Sequence, residues 1–418
     1  MSKRSPLLPI FLIVLVDILG FTIVIPLLAL YAKKFGASSF TALALVSVYA
    51  LCSLISAPVL GRLSDRFGRR PLLIISQIGT CAGFLLLAVS SSLWMVFVGR
   101  ILDGATAGNL SLAQAYISDH TRPENRAKAF GVIGIAFGLG FFIGPIMAGQ
   151  LSRLGLHAPF VAAAGLSALS ILATVTLLPR EPGRGAAPPS PVAGADDGGP
   201  PPPAGRRPGL FDLGVYADYL RRPGLASLYL QFFLFSFAFT GFTSGFALFA
   251  TERFVREGVP WGSTEIAWIF AYSGFLGIIL QGGLIGRLVK RFGEHALIVG
   301  GFLMAAVAYA ILGAAFTVAV LLVAATISTL GNGVLRPCLT SQITQAVGPH
   351  EQGVALGVSQ SLGAIAMVLA PLVGGALLDR DYLLAWALVS SMVAALGLLA
   401  AMTKRAPTPV RPGPVDPP

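Results

Sequence analysis

Charge is what this sequence has least of. Only 11% of its 418 residues are Asp, Glu, Lys or Arg, where a soluble protein carries about a quarter. So few charges cannot coat a water-facing molecule of this length, so most of its surface faces lipid. Cysteine is scarce too: Cys52, Cys81 and Cys338 all lie in apolar runs, without disulfide or metal spacing. The histidines, His120, His157, His295 and His350, fall at expected helix ends or in loops, and no glutamate lies in the centre of an apolar run. These gaps leave no nucleophile–base constellation, no metal set and no water-soluble signalling domain, so neither an enzyme nor a receptor is expected, and no cofactor. The net charge of +11 comes without a nucleic-acid module, and the aromatics fall inside apolar runs, so no nucleic-acid partner is expected.

What the chain does have is apolar length. It is 55% hydrophobic, with a mean hydropathy of +0.80. Twelve runs can be counted, at roughly 7–30, 41–61, 72–90, 93–117, 128–151, 158–178, 225–250, 263–286, 296–315, 318–341, 353–378 and 382–402. Each is long enough to cross about 30 Å of hydrocarbon as a helix. The first follows Lys3 and Arg4 as a signal peptide would, but it is too long for one and reads as a retained helix. Between the sixth and seventh runs the composition changes to Pro, Gly, Ala and Arg, including Pro200 to Pro203 in a row. Such a segment cannot bury a core and reads as a linker.

The positive charges set an orientation. If the N-terminus is inside, 21 of the 29 lysines and arginines fall in cytoplasmic segments and 6 outside, with Arg100 and Arg336 left within spans. That bias places both termini in the cytoplasm. Its densest point is the turn from Gly61 to Pro71, which holds Arg62, Asp65, Arg66, Gly68, Arg69 and Arg70. A weaker copy, Gly286 to Gly293, lies 225 residues later. Pro123, Gly131, Pro145 and Gly149 recur 226 positions on as Pro349, Gly357, Pro371 and Gly375. Two six-helix halves are the simplest account of this repeat.

Four charges fall inside spans: Asp17 in the first, Arg100 and Asp103 in the fourth, and Arg336 in the tenth. Each costs at least about 2.5–3.5 kcal/mol there unless it pairs or lines a watery cavity. Arg100 and Asp103, at i,i+3, can pair on one helix face. Asp17 has no partner within its own helix. With no histidine or glutamate at that depth, Asp17 and Asp103 are the available proton carriers. Asn109, Gln114, Gln231, Gln281, Gln360 and Arg336 are candidates for lining a substrate cavity. In the arginine turn, Gly68 suits a tight connection. Gly61, Asp65, Arg66, Gly68 and Arg69 read as an anchor or as a latch that breaks when the halves rock. Gly140, Gly144, Pro145 and Gly149 in the fifth run permit close helix packing, with Pro145 inviting a kink.

Together these residues resemble the major facilitator superfamily over nearly the whole chain outside the linker. Gly61 to Arg70 is similar to that family's signature turn between the second and third helices. Arg100-x-x-x-Gly104-x-x-x-Gly108 resembles its fourth-helix motif, whose arginine is implicated in proton coupling. Gly140-x-x-x-Gly144-Pro145-x-x-Ala148-Gly149 resembles the fifth-helix motif of antiporters, with alanine in place of one glycine. Asp17-x-x-Gly20-Phe21 ahead of Pro26 looks like the first helix of drug:proton antiporters of the tetracycline-efflux type. Those exporters also carry an acid in the ninth helix and a histidine in the eighth; neither is present in this chain.

The expectation is an all-α polytopic membrane protein with twelve transmembrane helices in two pseudo-symmetric six-helix bundles. Residues 1–178 form the first bundle, 179–224 a cytoplasmic linker, 225–404 the second bundle and 405–418 a disordered tail. The resemblance implies a proton-coupled antiporter that exports amphiphilic small molecules by alternating access, with Asp17 and Arg100 in proton coupling; Asp103, outside the family's motifs, joins them as a charge buried within a span. Its partners would be the substrate, protons and membrane lipid, and it would act as a monomer in the plasma membrane, the inner membrane of a bacterium. The alternative is a proton-coupled or facilitative carrier of a metabolite such as a sugar or an organic anion.

Overall fold

A computed structural model describes residues 7–120, 123–178, 213–348 and 351–403. The linker as far as residue 212 and the tail from 405 lie outside the described residues. The first half contains α1 (Leu7–Lys34), α2 (Ser39–Phe67), α3 (Arg69–Ala88), α4 (Leu93–Ala105), α5 (Asn109–His120), α6 (Pro123–Leu151) and α7 (Ala158–Leu177). The second half begins with α8 (Leu213–Arg221) and α9 (Pro223–Arg253), followed by a small hairpin of β1 (Val255–Arg256) and β2 (Val259–Pro260). It continues through α10 (Ser263–Ile279), α11 (Ile285–Phe292), α12 (Glu294–Gly313), α13 (Val318–Gln345), α14 (Gln352–Leu378) and α15 (Leu383–Thr403).

Ten helices among the described residues are long and apolar enough to cross a membrane. The first makes an eleventh, bent by 41° between Ile10–Val24 and Pro26–Lys34. Pro26 has no N–H to give the carbonyl of Thr22, so one rung of the helix is missing where it bends. The remaining apolar run, the fourth, is not one helix as the sequence suggests but α4 and α5, parted at Thr106–Gly108. The Thr106 hydroxyl bonds back to the Leu102 and Asp103 carbonyls at 2.8 and 3.2 Å, competing with helix continuation. Ser76 of α3 closes the gap: its hydroxyl donates to the Thr106 carbonyl and accepts the Gly108 N–H at 3.0 Å. Backbone polar groups at membrane depth need such partners.

Two further departures from the sequence reading are local. Leu213–Arg221, within the expected linker, is helical, because Tyr219 is buried in the core of the second half. The eighth run widens into a π-helical segment, Leu280–Leu284, between α10 and α11.

The arginine turn and its copy lie at one end of the bundle, the turn end. There Gly68, at φ +95°, joins α2 to α3, and Gly293, at φ +78°, joins α11 to α12. At this end each half has its own apolar core. Ile10, Leu60, Leu73 and Ile117 belong to that of the first half, and Leu228, Phe302, Leu339 and Ile343 to that of the second. At the opposite end a single cluster runs through both halves, taking in Leu27, Leu43 and Phe160 with Phe249, Leu378 and Trp386. The halves meet there chiefly through two helix pairs, α2 with α14 and α6 with α10, with α1 also against α9. The Ser39 N–H donates to Asp379 Oδ1 at 2.6 Å, and the hydroxyls of Ser152 and Ser263 lie 2.6 Å apart. The molecule is sealed at that end and divided at the turn end.

Candidate functional site

The charges within the first half's spans, on α1 and α4, are joined by polar side chains of α3 and α5. On α4, Arg100 and Asp103 pair at 2.8 Å, their side chains 4% and 5% exposed. The guanidinium carbon sits 5.5 Å from the Tyr49 ring centre and 5.8 Å from that of Phe84, a cation–π setting that partly replaces water. Arg100 Nε has no hydrogen-bond partner among the described residues. Thr80 of α3 lies within interaction range of the Asp103 carboxylate. Asn109, the first residue of α5, reaches both ways: its Nδ2 donates to Asp17 Oδ1 at 2.6 Å and lies 3.5 Å from Thr80 Oγ1. A polar chain therefore runs from Asp17 through Asn109 and Thr80 to Asp103 and Arg100. Asp17 is half-buried and Asp103 buried, so the Asp17 end is the more accessible of the two.

The α4–α5 break makes this junction possible. An unbroken helix would keep Asn109 within one continuous face of a single span; the gap instead lets α5 start beside α1. The break is held on a second side by α2, where Ser56 Oγ donates to the Gly104 carbonyl at 2.8 Å. α1 in turn is held by α6. Thr22 Oγ1 donates to the Gly140 carbonyl at 2.9 Å, and the positions that side chains on Gly140 and Gly144 would fill are taken by Ile18 and Thr22. Pro145 lies inside α6, and Gly149, farther along, packs on Ala267 and Thr264 of α10.

The arginine turn is engaged within its own half. Arg69 binds Asp65 at 2.7 Å and donates to Ser64 Oγ at 2.5 Å and the Gly61 carbonyl at 3.4 Å. Arg70 donates to the Val175 carbonyl of α7 at 2.6 Å. Arg66 is exposed and Gly61 has open space beside it. In the copy the charges are exchanged: Lys290 occupies the place of Asp65, and Glu294 that of Arg69. Lys290, Glu294, Pro337, Cys338 and Ser341 line a cavity of about 330 Å³ there.

The remaining candidates are scattered. Gln281 and Gln360 are exposed, Gln114 is half-buried, and Arg336 is exposed on α13. Gln231 departs from the expected cavity lining: it is buried and donates to Ser227 on its own helix at 3.2 Å. Tyr49 and Thr80 belong to the charge cluster, but the sequence reading passed them over. Thr80 had a faint signal, in the i,i+4 stripe of Ser76 and Thr80 with Gln77; nothing distinguishes Tyr49 from a packing aromatic.

Outside the membrane, α8 is clamped onto α14. Arg222 donates twice to Glu351, at 2.9 and 3.1 Å, and the Tyr219 hydroxyl donates to the same carboxylate at 3.1 Å. The Arg222 hydrogen bonds hold the Glu351 carboxyl below its ordinary value of 4.5. Partial burial pushes the Tyr219 phenol up.

Among known proteins, the family model of the Major Facilitator Superfamily matches residues 10–371 and 251–417. The tetracycline resistance protein, class C, of Escherichia coli is 30% identical over 382 residues, covering 89% of each chain. Multidrug resistance protein 1 of Bacillus subtilis is 28% identical over 384 residues, covering 91% of this chain and 92% of that protein. In structure, the human organic anion transporter MFSD10 (TETRAN) superposes with a TM-score of 0.70 at 22% identity, over 96% of this chain and all of that one. The nucleoside transporter NupG superposes with a TM-score of 0.74 at 14% identity, over 96% and 99%. The multi-pass architecture, the duplicated halves and these matches agree, and the chain belongs to the Major Facilitator Superfamily.

Proposed function

We propose that this chain is a proton-coupled antiporter of amphiphilic small molecules that works by alternating access. The observation that carries the reading is Asp17: a carboxyl in mid-span, half-buried, tied through Asn109 and Thr80 to the Asp103–Arg100 pair. Its relatives include proteins named for tetracycline and multidrug resistance, which favours export as the direction. The lysine and arginine bias puts the turn end in the cytoplasm and with it both termini, in the inner membrane of a bacterium. The division of the molecule at that end then corresponds to an inward-open state.

In this scheme Asp17 gives its proton to the cytoplasm in the inward-open state and regains one from outside. A charged Asp17 takes the Asn109 N–H; a protonated one can instead offer its O–H to Asn109 Oδ1, which has no partner among the described residues. Each proton step thus rotates one amide and alters what reaches Thr80 and the ion pair. Substrate and proton drive the switch only through unequal affinity for the two states. The Asp65–Arg69 turn serves as the latch of the opposite, outward-open state, and Gly140, Gly144, Pro145 and Gly149 form the packing face on which α1 and α10 move. Substrate would enter between the halves, near Asn109, Gln114, Gln281 and Gln360.

The test is transport in proteoliposomes with an imposed proton gradient, read with a fluorescent amphiphile. Asp17→Asn is expected to abolish gradient-driven extrusion while the purified protein remains monodisperse. Gradient-driven extrusion at the unsubstituted rate would remove Asp17 from the mechanism.

A further inference from the structure

We propose that Arg336 recognises an anionic oxygen group, a carboxylate or sulfonate, on the amphiphile this chain carries; the proposal rests on the transporter reading above and narrows its substrate class. Arg336 lies well inside a span, nine residues before the last residue of α13, or about 14 Å along the axis. Its side chain is exposed, and it makes no hydrogen bond or ion pair with the described residues. An accessible arginine at that depth costs several kcal/mol if it meets acyl chains, so the direction in which it points decides what it does.

Helix geometry settles that direction. α13 turns Gly331, Val334 and Leu335 toward Gly301 of α12. α12 packs on α13 and α15 and makes no extensive contact with the first half, so it is a peripheral helix. Arg336 lies about 150° around α13 from that contact, at about 100° per residue, and so points away from the periphery. Gly333, about 60° further round, abuts Leu280 at the π segment. Thr329 and Thr340 share the Arg336 face and are half-buried. Glu294, an acid at the second half's turn end, is on the wrong side: it accepts from Ser341 Oγ at 2.5 Å and Gln345 Nε2 at 3.3 Å. The face of α13 turned from α12 therefore carries an unneutralised guanidinium, at nearly the same depth as Asp17, which lies about 15 Å from the start of α1.

A planar guanidinium with no internal partner matches a carboxylate or sulfonate through two parallel hydrogen bonds. The Thr329 and Thr340 hydroxyls are further donors on the same face. Asp17 is already bonded to Asn109 in the other half, which leaves Arg336 to the substrate in this state.

The experiment uses the full chain and a matched pair of probes: a xanthene dye with a free benzoate and the methyl ester of the same dye. Binding to the detergent-purified protein is read by fluorescence anisotropy, and gradient-driven extrusion is read in proteoliposomes. The unsubstituted protein is expected to bind the benzoate dye more tightly than the ester. Arg336→Gln should weaken the benzoate dye at least tenfold more than the ester, equivalent to about 1.4 kcal/mol, and Arg336→Lys should recover part of the difference. Equal loss of both dyes in Arg336→Gln would overturn the proposal, as it would if Arg336 served only as a counter-charge to Asp17 during the switch. Equal binding of both dyes by the unsubstituted protein would overturn it as well. If the benzoate dye binds through Arg336 but no proton gradient drives its extrusion, the anion site stands and the antiporter reading fails.

Discussion

The contact between Ser39 and Asp379 is a direct handle on the conformational equilibrium. The carboxylate of Asp379, just past α14, accepts the N–H of the first residue of α2 at 2.6 Å. It joins the two halves at the sealed end and faces the positive end of the α2 dipole. A hydrogen bond to a charged group is worth about 1.5–3 kcal/mol. Asp379 is exposed, so solvent screening reduces this to about 1 kcal/mol. Asp379→Ala should therefore lower the ratio of sealed to open molecules at that end by about fivefold. Asp379→Asn keeps an oxygen acceptor without the charge and should show a smaller shift. The readout is the distance distribution between spin labels at Lys34 and Tyr382, one in each half, in a background with Cys52, Cys81 and Cys338 replaced. An unchanged distribution in Asp379→Ala, with the protein eluting normally, would refute the claim that this bond biases the switch. A new long-distance population about fivefold larger than in the parent would support it.

Other consequences are open to simpler measurements. Gly144→Leu should over-pack the contact with Thr22 and cost about 1–3 kcal/mol, seen as a lower melting temperature and less monodisperse protein; a neutral result would mean α6 can step away from α1. Asn109→Ala should slow gradient-driven extrusion by about tenfold, from the loss of a charged hydrogen bond of at least about 1.5 kcal/mol, and leave substrate counterflow near the parent rate. Equal loss of both would make Asn109 a packing residue only. Because Arg222 lowers the Glu351 carboxyl below 4.5, the α8 clamp should be whole above that pH and weaken as pH falls through the lowered value. Limited proteolysis of α8 should accelerate in that acidic window and stay slow at neutral pH. Glu351→Gln should be cleaved faster at neutral pH and lose the pH dependence.

The sequence by itself determined the membrane class, the duplication and the residues at which charge enters the spans. Lipid gives a backbone few choices, so apolar length is nearly a statement of helix, and an arginine turn marks an end wherever it falls. Asp17, Arg100, Asp103 and Arg336 were visible because a charge at that depth needs a reason. What the sequence could not contain was the pairing between helices. Asn109 was only one polar side chain among several until the α4–α5 break brought it to Asp17, and Thr80 had no standing until α3 lay beside both. The break itself depends on Ser76 from a neighbouring helix, α8 depends on a carboxylate more than a hundred residues away, and Gln231 is buried by the way its helix packs. Hydropathy is a property of segments and survives in one dimension. Direction around a helix, and therefore what each polar group meets, is decided only when the helices pack.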